Sequence, residues 1–200
     1  MSVSDNKRAR LTVRGSSGFY FGGPAVALTP TQGIVFPNQP DIVYNQSVNY
    51  TPYNLTHTNY TTYAYASTPS PTLQITAQFS NVTAEEHRYT QGVIHFLRSV
   101  TKMFYGLGDV PQTPTAGTPP PVLSFSAFGE TQFNQVPVVV GNVSIPYQSD
   151  TDLVEHEGAA LPAVQTVALD LLVTVNPAKQ KQQFSKTAFV NGNLYQGGFI

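Results

Sequence analysis

The chain has no cysteine, which excludes disulfides, thiol nucleophiles and cysteine-ligated zinc, and the fold is expected to form in a reducing cytoplasm. Charge is nearly as scarce. Asp, Glu, Lys and Arg make up 10% of the 200 residues, against roughly 25% in an ordinary soluble domain. The net charge is −1, so no basic excess exists for a sequence-independent grip on nucleic acid. No run of about 18 apolar residues occurs, and no membrane-spanning helix is expected. The start, MSVSDNKRARL, carries Lys7, Arg8 and Arg10 with no apolar stretch behind them, so no signal peptide is expected. The shortage of charge admits two readings: surface buried against other subunits, or a Thr/Asn/Gln-rich surface that is polar without being charged.

What is present is mostly strand-like. Residues 1–40 are punctuated by GSSG at 15–18, GGP at 22–24, and Pro30, Pro37 and Pro40. Short extended pieces fit between them at Leu11–Arg14 and Ile34–Phe36, and an arm or loosely packed edge is expected here rather than a core. Residues 41–66 carry Tyr44, Tyr50, Tyr53, Tyr60, Tyr63 and Tyr65 among Thr and Asn. Tyr and Thr favour strands, and the stretch reads as an exposed hairpin or arm, or else as a low-complexity loop. The expected division is an extended region over residues 1–66 and a β domain over 67–200.

Thr72–Ser80, TLQITAQFS, alternates cleanly. Leu73, Ile75, Ala77 and Phe79 face one way, and Thr72, Gln74, Thr76 and Gln78 the other, as in a half-buried strand. A helix follows, predicted over 83–105. Thr83 and Glu86 form a capping box, and Glu85 adds negative charge to the first turn. Tyr89, Val93, Leu97, Val100 and Phe104 line one stripe, and Gly106 is the predicted stop. Gly92, in mid-helix, costs about 1 kcal/mol relative to alanine, which close approach of another element would explain. A Pro/Thr/Gly loop over 107–121 leads to further strands at Val122–Phe128, Val136–Tyr147 (interrupted at Gly141–Asn142) and Val164–Val175. Residues 149–158, SDTDLVEHEG, read as an acidic loop. Strands with a single helix argue for a mainly β fold, a sandwich or partial barrel flanked by that helix.

No catalytic constellation stands out. His87 and His95 are eight apart on the helix, not the four that sets two ligands on one metal, and they read as packing or surface residues. Asp150, Asp152, Glu155, His156 and Glu157 are dense enough to hold a hard cation but lack the spacing and glycine of a calcium loop, so a solvated acidic surface is expected. No phosphate-cradling glycine pattern and no G-x-S-x-G occurs. The N-x-S/T triplets at Asn45, Asn54, Asn59, Asn81 and Asn142 are expected by chance in a chain rich in these residues. No enzyme, metal or cofactor is expected.

The segment from IHFLRSVTKMFYG through GTPPPVLSFSAFG to FNQVPVVVGNVSIPYQSDTDLV resembles the baseplate–tail-tube junction proteins of contractile-tailed phages, the tail-tube initiators or caps. The resemblance spans residues 70–200. It rests on His95-Phe96-Leu97-Arg98, Thr101-Lys102-Met103-Phe104, Gly117 to Leu123, Val136-Pro137-Val138-Val139 and Asp150-Thr151-Asp152. The tyrosine-rich segment has no counterpart in that pattern. The resemblance implies a tail-tube-like fold of two small sheets and a helix. Each copy would complete a β-barrel ring, as a hexamer, with baseplate hub and tail-tube proteins as neighbours and DNA as passing cargo. It implies a virion protein assembled in the host cytoplasm and away from membranes. On that view Thr72, Gln74, Thr76, Gln78, Ser124 and Ser126 face the channel. Arg88, Arg98 and Lys102 meet a neighbouring subunit, and Asp150, Asp152, Glu155 and Glu157 face the channel or a neighbouring ring. The alternatives are a tail-tube subunit or tube-terminating ring of the same fold and, from another class, a carbohydrate-binding or adhesive β-sandwich. An acid–base hydrolase using Glu155 or Glu157 is more distant.

Overall fold

Alternation of apolar and polar residues is the rule that builds this molecule, because successive strand side chains point to opposite faces of a sheet. The computed structural model describes residues 7–15, 20–105, 116–129, 131–147, 149–156, 158–176, 178, 185–194 and 200. Its strands are β1 (Arg10–Val13), β2 (Gly33–Val35), β3 (Asp41–Asn45), β4 (Asn49–Tyr53), β5 (Thr62–Ser67), β6 (Thr72–Ser80), β7 (Leu123–Ala127), β8 (Phe133–Ser144), β9 (Leu153–His156), β10 (Ala159–Pro162) and β11 (Val164–Val173). The helices are α1 (Ala84–Val100) and the short α2 (Lys186–Val190), with a 3-10 turn at Gly23–Leu28.

Seven strands form one antiparallel sheet in the order β2-β1-β7-β8-β11-β6-β3. β4 and β5 make a separate hairpin, and β9 and β10 another. The fold is thus mainly β with one main helix, and no barrel closes among the described residues. β11 lies centrally, its Leu169 and Leu171 level with Ile75 and Leu73 of β6. β8 is bent by a bulge: Leu171 pairs with Val140 and Asp170 with Asn142, leaving Gly141 between them. A Cβ on Gly141 would lie 3.1 Å from Leu172 Cγ, so the interruption seen in the sequence is a packing device.

One face of the sheet carries the core. Leu11, Ile34, Leu73, Ile75, Phe79, Leu123, Phe125, Val136, Val138, Leu169 and Leu171 are all buried there, each contributing roughly 1.5–3 kcal/mol. α1 lies over that face. Its capping box is formed as predicted: Glu86 N–H donates to Thr83 Oγ1 at 3.2 Å, and Thr83 N–H to Glu86 Oε2 at 3.1 Å. The Thr83 backbone bond, and next the Ser80 hydroxyl, hold the Glu86 carboxyl below the usual glutamate range. α1 is covered on two sides, by the sheet and by the 3-10 turn, so its buried set is wider than a single stripe: His87, Thr90, Gly92, Val93, Ile94, Phe96, Leu97 and Val100. The predicted close approach at Gly92 is present. A Cβ there would sit 2.9 Å from the Pro24 carbonyl oxygen, and the Phe21 ring stacks on Phe96 at 5.7 Å.

Several expectations are corrected. The N-terminal stretch is not a loose edge: Ala9, Leu11, Val13, Tyr20, Phe21, Ala25, Leu28, Ile34 and Phe36 are core residues. The Gly and Pro punctuation there marks turns between buried pieces. The helix ends at Val100 rather than 105. The Thr101 hydroxyl and the Lys102 N–H cap the Arg98 and Ser99 carbonyls, and Phe104 then pairs with Thr118 as an isolated bridge. Gly106, the predicted stop, lies outside the described residues. The acidic stretch is not a loop, since Leu153–His156 pairs with Ala159–Pro162. The main strands lie in one sheet rather than two small ones.

Candidate functional site

The second face of the sheet is uncovered among the described residues. Along β6, Gln74, Thr76 and Gln78 are exposed and Thr72 half-buried, while the alternate residues are buried. Register extends this face sideways. Thr166, Ala168, Asp170 and Leu172 of β11 stand beside Gln78, Thr76, Gln74 and Thr72. Asp41, Val43 and Asn45 of β3 stand beside Thr76, Gln74 and Thr72. Asn142 Nδ2 donates to Asp170 Oδ2 at 3.1 Å across it. Ser124 and Ser126 of β7 share the face by register with Thr12 and Arg10 of β1. They are less open than the β6 residues: Ser124 is buried, and the Ser126 Oγ accepts the Gln135 N–H at 3.0 Å. The two groups read as channel-facing thus share one sheet surface but stand three strands apart, on β7 and β6.

Beside the serines the sheet holds residues that the sequence reading placed in an arm. Arg8, Arg10, Thr12, Arg14, Ser124, Ser126 and Gln135 line a cleft of about 770 Å³ on this face. The Arg14 guanidinium donates to the Gln135 carbonyl at 3.1 Å. The signal was the period-two run Arg10-Leu11-Thr12-Val13-Arg14, in which the buried Leu11 and Val13 fix the outward side of their neighbours.

The sheet's two edges differ. β2 is closed off from α1: the Tyr89 hydroxyl accepts the Val35 N–H and donates to the Val35 carbonyl, each at 2.8 Å. Burial pushes the Tyr89 phenol up, opposed by its bond to Val35. At the other end, β3 pairs only with β6 among the described residues, and Val43 and Tyr44 on it are exposed. From β3 the chain runs into the β4–β5 hairpin, whose Tyr50, Tyr53, Tyr60, Tyr63 and Tyr65 are all more than half exposed. The Tyr50 and Tyr65 rings meet edge-on at 6.2 Å. Pro52 lies within β4, where a missing N–H is tolerated because the strand has a free side. The tyrosine-rich segment is therefore split: residues 41–45 belong to the main sheet and residues 49–67 form the ribbon that stands off it.

The helix cations do not form one patch. Arg88 and Arg98 are exposed but stand about 15 Å apart along the axis. The Arg98 guanidinium donates to the Tyr147 hydroxyl at 3.1 Å. Lys102 is exposed beyond the helix end. Asp150, Asp152 and Glu155 are exposed, and Glu157 lies outside the described residues. Among the described residues no cluster of three or more His, Asp or Glu is placed to hold a metal. His87 is buried with its ring 5.2 Å from that of His156, which seats the β9–β10 hairpin against α1. His95 is exposed. Asn81 is buried and donates to the Pro162 carbonyl at 2.6 Å, so its N-x-T triplet is part of the packing. No helix of the described residues is long and apolar enough to cross a membrane.

No protein-family model matches the chain, and no curated protein matches it. Among solved structures it is similar to a chain from the tail of an empty GTA particle, determined by helical refinement with C6 symmetry. The identity is 10% and the TM-score 0.35, over 88% of this chain and 96% of that chain.

Proposed function

We propose that this chain is a structural subunit of a phage tail that closes with copies of itself into a six-fold ring at the baseplate–tail-tube junction. The observation that carries the reading is the pairing of an uncovered, polar sheet face with an open edge at β3. An exposed edge bearing Val43 and Tyr44 templates pairing with another strand. In a closed ring that pairing is satisfied by the next subunit, and no edge remains. The uncovered face then becomes a lumen wall. Along β6, Gln74, Thr76 and Gln78 give that wall hydrogen-bonding side chains along which DNA slides without being held, and its cations, Arg10 and Arg14, are confined to the β1 end, four strands away. The exposed tyrosine ribbon supplies apolar area for a neighbour, which accounts for the low charge as buried interface. The segment from Ile94 to Val154 that resembles the junction proteins contains β7 and β8, two strands of the sheet that carries that face. On this reading the chain turns nothing over. It templates tube growth between hub and tube and continues the channel.

Negative-stain electron microscopy of the purified chain, with light scattering for mass, tests this. Closed rings with a central hole, single or in short salt-sensitive stacks, are the expected result. Long tubes that persist at about 0.5 M salt would reassign the chain to the tube itself. A monomer at every concentration reached, with hub and tube proteins absent or added, would sink the reading.

A further inference from the structure

The few charges of this chain are not spread evenly. Lys7, Arg8, Arg10 and Arg14 crowd into one short stretch with no acid among them, and Asp150, Asp152, Glu155 and Glu157 into another with no lysine or arginine. The fold sends Arg10 and Arg14 to one end of the sheet and Asp152 and Glu155 to the other. The acidic hairpin β9–β10 leads into the first residue of β11, Val164. The last residue of β11, Val173, is level with Val138, which is level with Leu123, and that in turn with Val13. Arg10 is three residues farther in the same direction, beside Ser126. The offset along the strands is about twelve residues, on the order of 40 Å. Groups that far apart cannot pair within one chain, and they lie well beyond the Debye length of about 8 Å at physiological ionic strength.

We infer that the arginine cleft is a docking site for the acidic β9–β10 hairpin of a second copy, which makes the chain's self-association head-to-tail along the strand direction. The cleft is concave, about 770 Å³, and carries hydroxyls among its arginines: Thr12 lies between Arg10 and Arg14 with Ser124 beside it, and Ser126 is beside Arg10. Arg14 is held in place by its bond to the Gln135 carbonyl, which leaves further guanidinium N–H groups for a carboxylate. The acidic hairpin is narrow, with Asp152, Leu153 and Glu155 exposed. The contact is heterologous, one surface meeting a different one, and such contacts repeat rather than close as a two-fold pair. This inference rests on the ring reading: it assigns the contact between stacked rings to the two charged ends, and the lateral contacts remain with β3 and the tyrosine ribbon.

Paired charge reversal tests it. Arg10→Glu/Arg14→Glu and Asp152→Lys/Glu155→Lys are each expected to lower head-to-tail association at least about tenfold, as lost rim charges do at low salt. An equimolar mixture of the two is expected to recover mixed dimers by sedimentation velocity, because the reversed ends now complement one another in the reciprocal sense. Raising the salt to about 0.5 M should weaken parental stacking. Circular dichroism checks that each variant is folded, and Arg10→Ala/Arg14→Ala replaces the first if reversal disturbs β1. Undiminished stacking in either variant, or loss in both without recovery on mixing, overturns the inference. Single rings that persist through these reversals but never stack overturn it while leaving the ring reading intact. A parent monomeric under all conditions overturns both. Binding of a duplex oligonucleotide that is lost in Arg10→Glu/Arg14→Glu while stacking persists would reassign the cleft to phosphate.

Discussion

The two faces of the same sheet behave as different materials. On β6, Leu73, Ile75, Ala77 and Phe79 are buried while Gln74, Thr76 and Gln78 between them are exposed. The first set faces α1 and fixes the monomer fold. The second is left uncovered by the described residues. A domain needs only one covered face to be stable, as antiparallel sheets commonly are, so the uncovered face is free to be shaped by what it does in an assembly. Stability and function are therefore separable by strand parity, and substitutions one residue apart should have opposite consequences.

The sharpest break of that comparison is Leu97→Asp. Leu97 is fully buried, and an unpaired carboxylate there is expected to unfold the domain, a loss of more than about 4 kcal/mol; a cooperative thermal transition near the parent's would show that the helix–sheet face does not carry the fold. Gly92→Val comes next. The added atoms run into the Pro24 carbonyl, and the expected loss is about 1–3 kcal/mol by chemical denaturation; no loss would mean that the 3-10 turn yields easily. Tyr89→Phe removes both bonds to Val35 and uncaps the β2 edge, for about 1–2 kcal/mol. A second sign of the lost edge cap would be faster hydrogen exchange at Val35. Thr83→Ala should cost about 1 kcal/mol through the cap.

The cap also has a pH signature. Glu86 has its carboxyl depressed in the folded state. Its contribution is fully present above the ordinary glutamate value of about 4.3 and is lost as pH falls through the lower folded value. Glu86→Gln should flatten that part of the acid limb, which a pH series of melting curves would reveal. The smallest effect on folding belongs to the uncovered face. Gln74→Ala, Gln78→Ala and replacement of residues 49–67 by a short Gly/Ser turn should each leave stability within about 0.5 kcal/mol. The ribbon replacement alone should weaken assembly, measured by light scattering. An unfolded ribbon variant would place the hairpin on the stabilising side of the comparison.

Much of this was legible in the sequence because it depends on neighbours along the chain. The capping box at Thr83 and Glu86, the parity of β6 and the meaning of Gly92 follow from spacing alone. The N-terminal stretch was misjudged for a physical reason. Its strands are short, four residues in β1 and three in β2, and they become core only because β1 pairs with β7, more than a hundred residues away, with β2 on its other side. The period-two run of β1 marks a strand, but which distant strand it pairs with leaves no local trace. The helix end was misplaced because a bridge from Phe104 to the distant Thr118 overrides a stripe that continues in sequence. For the same reason the acidic stretch read as a loop: its strand character comes from Ala159–Pro162 across the turn.

By itself, then, the sequence determined a mainly β chain with one capped helix, a polar and an apolar side to its strands, and a surface short of charge. Period-two and period-3.6 patterns are set by local backbone geometry. Only the tertiary structure decided which strands neighbour one another, that β2 is capped while β3 stays open, and that the arginines and the acidic hairpin lie at opposite ends of the sheet. Those are matters of register between distant segments, which burial of the shared core selects and local spacing does not encode.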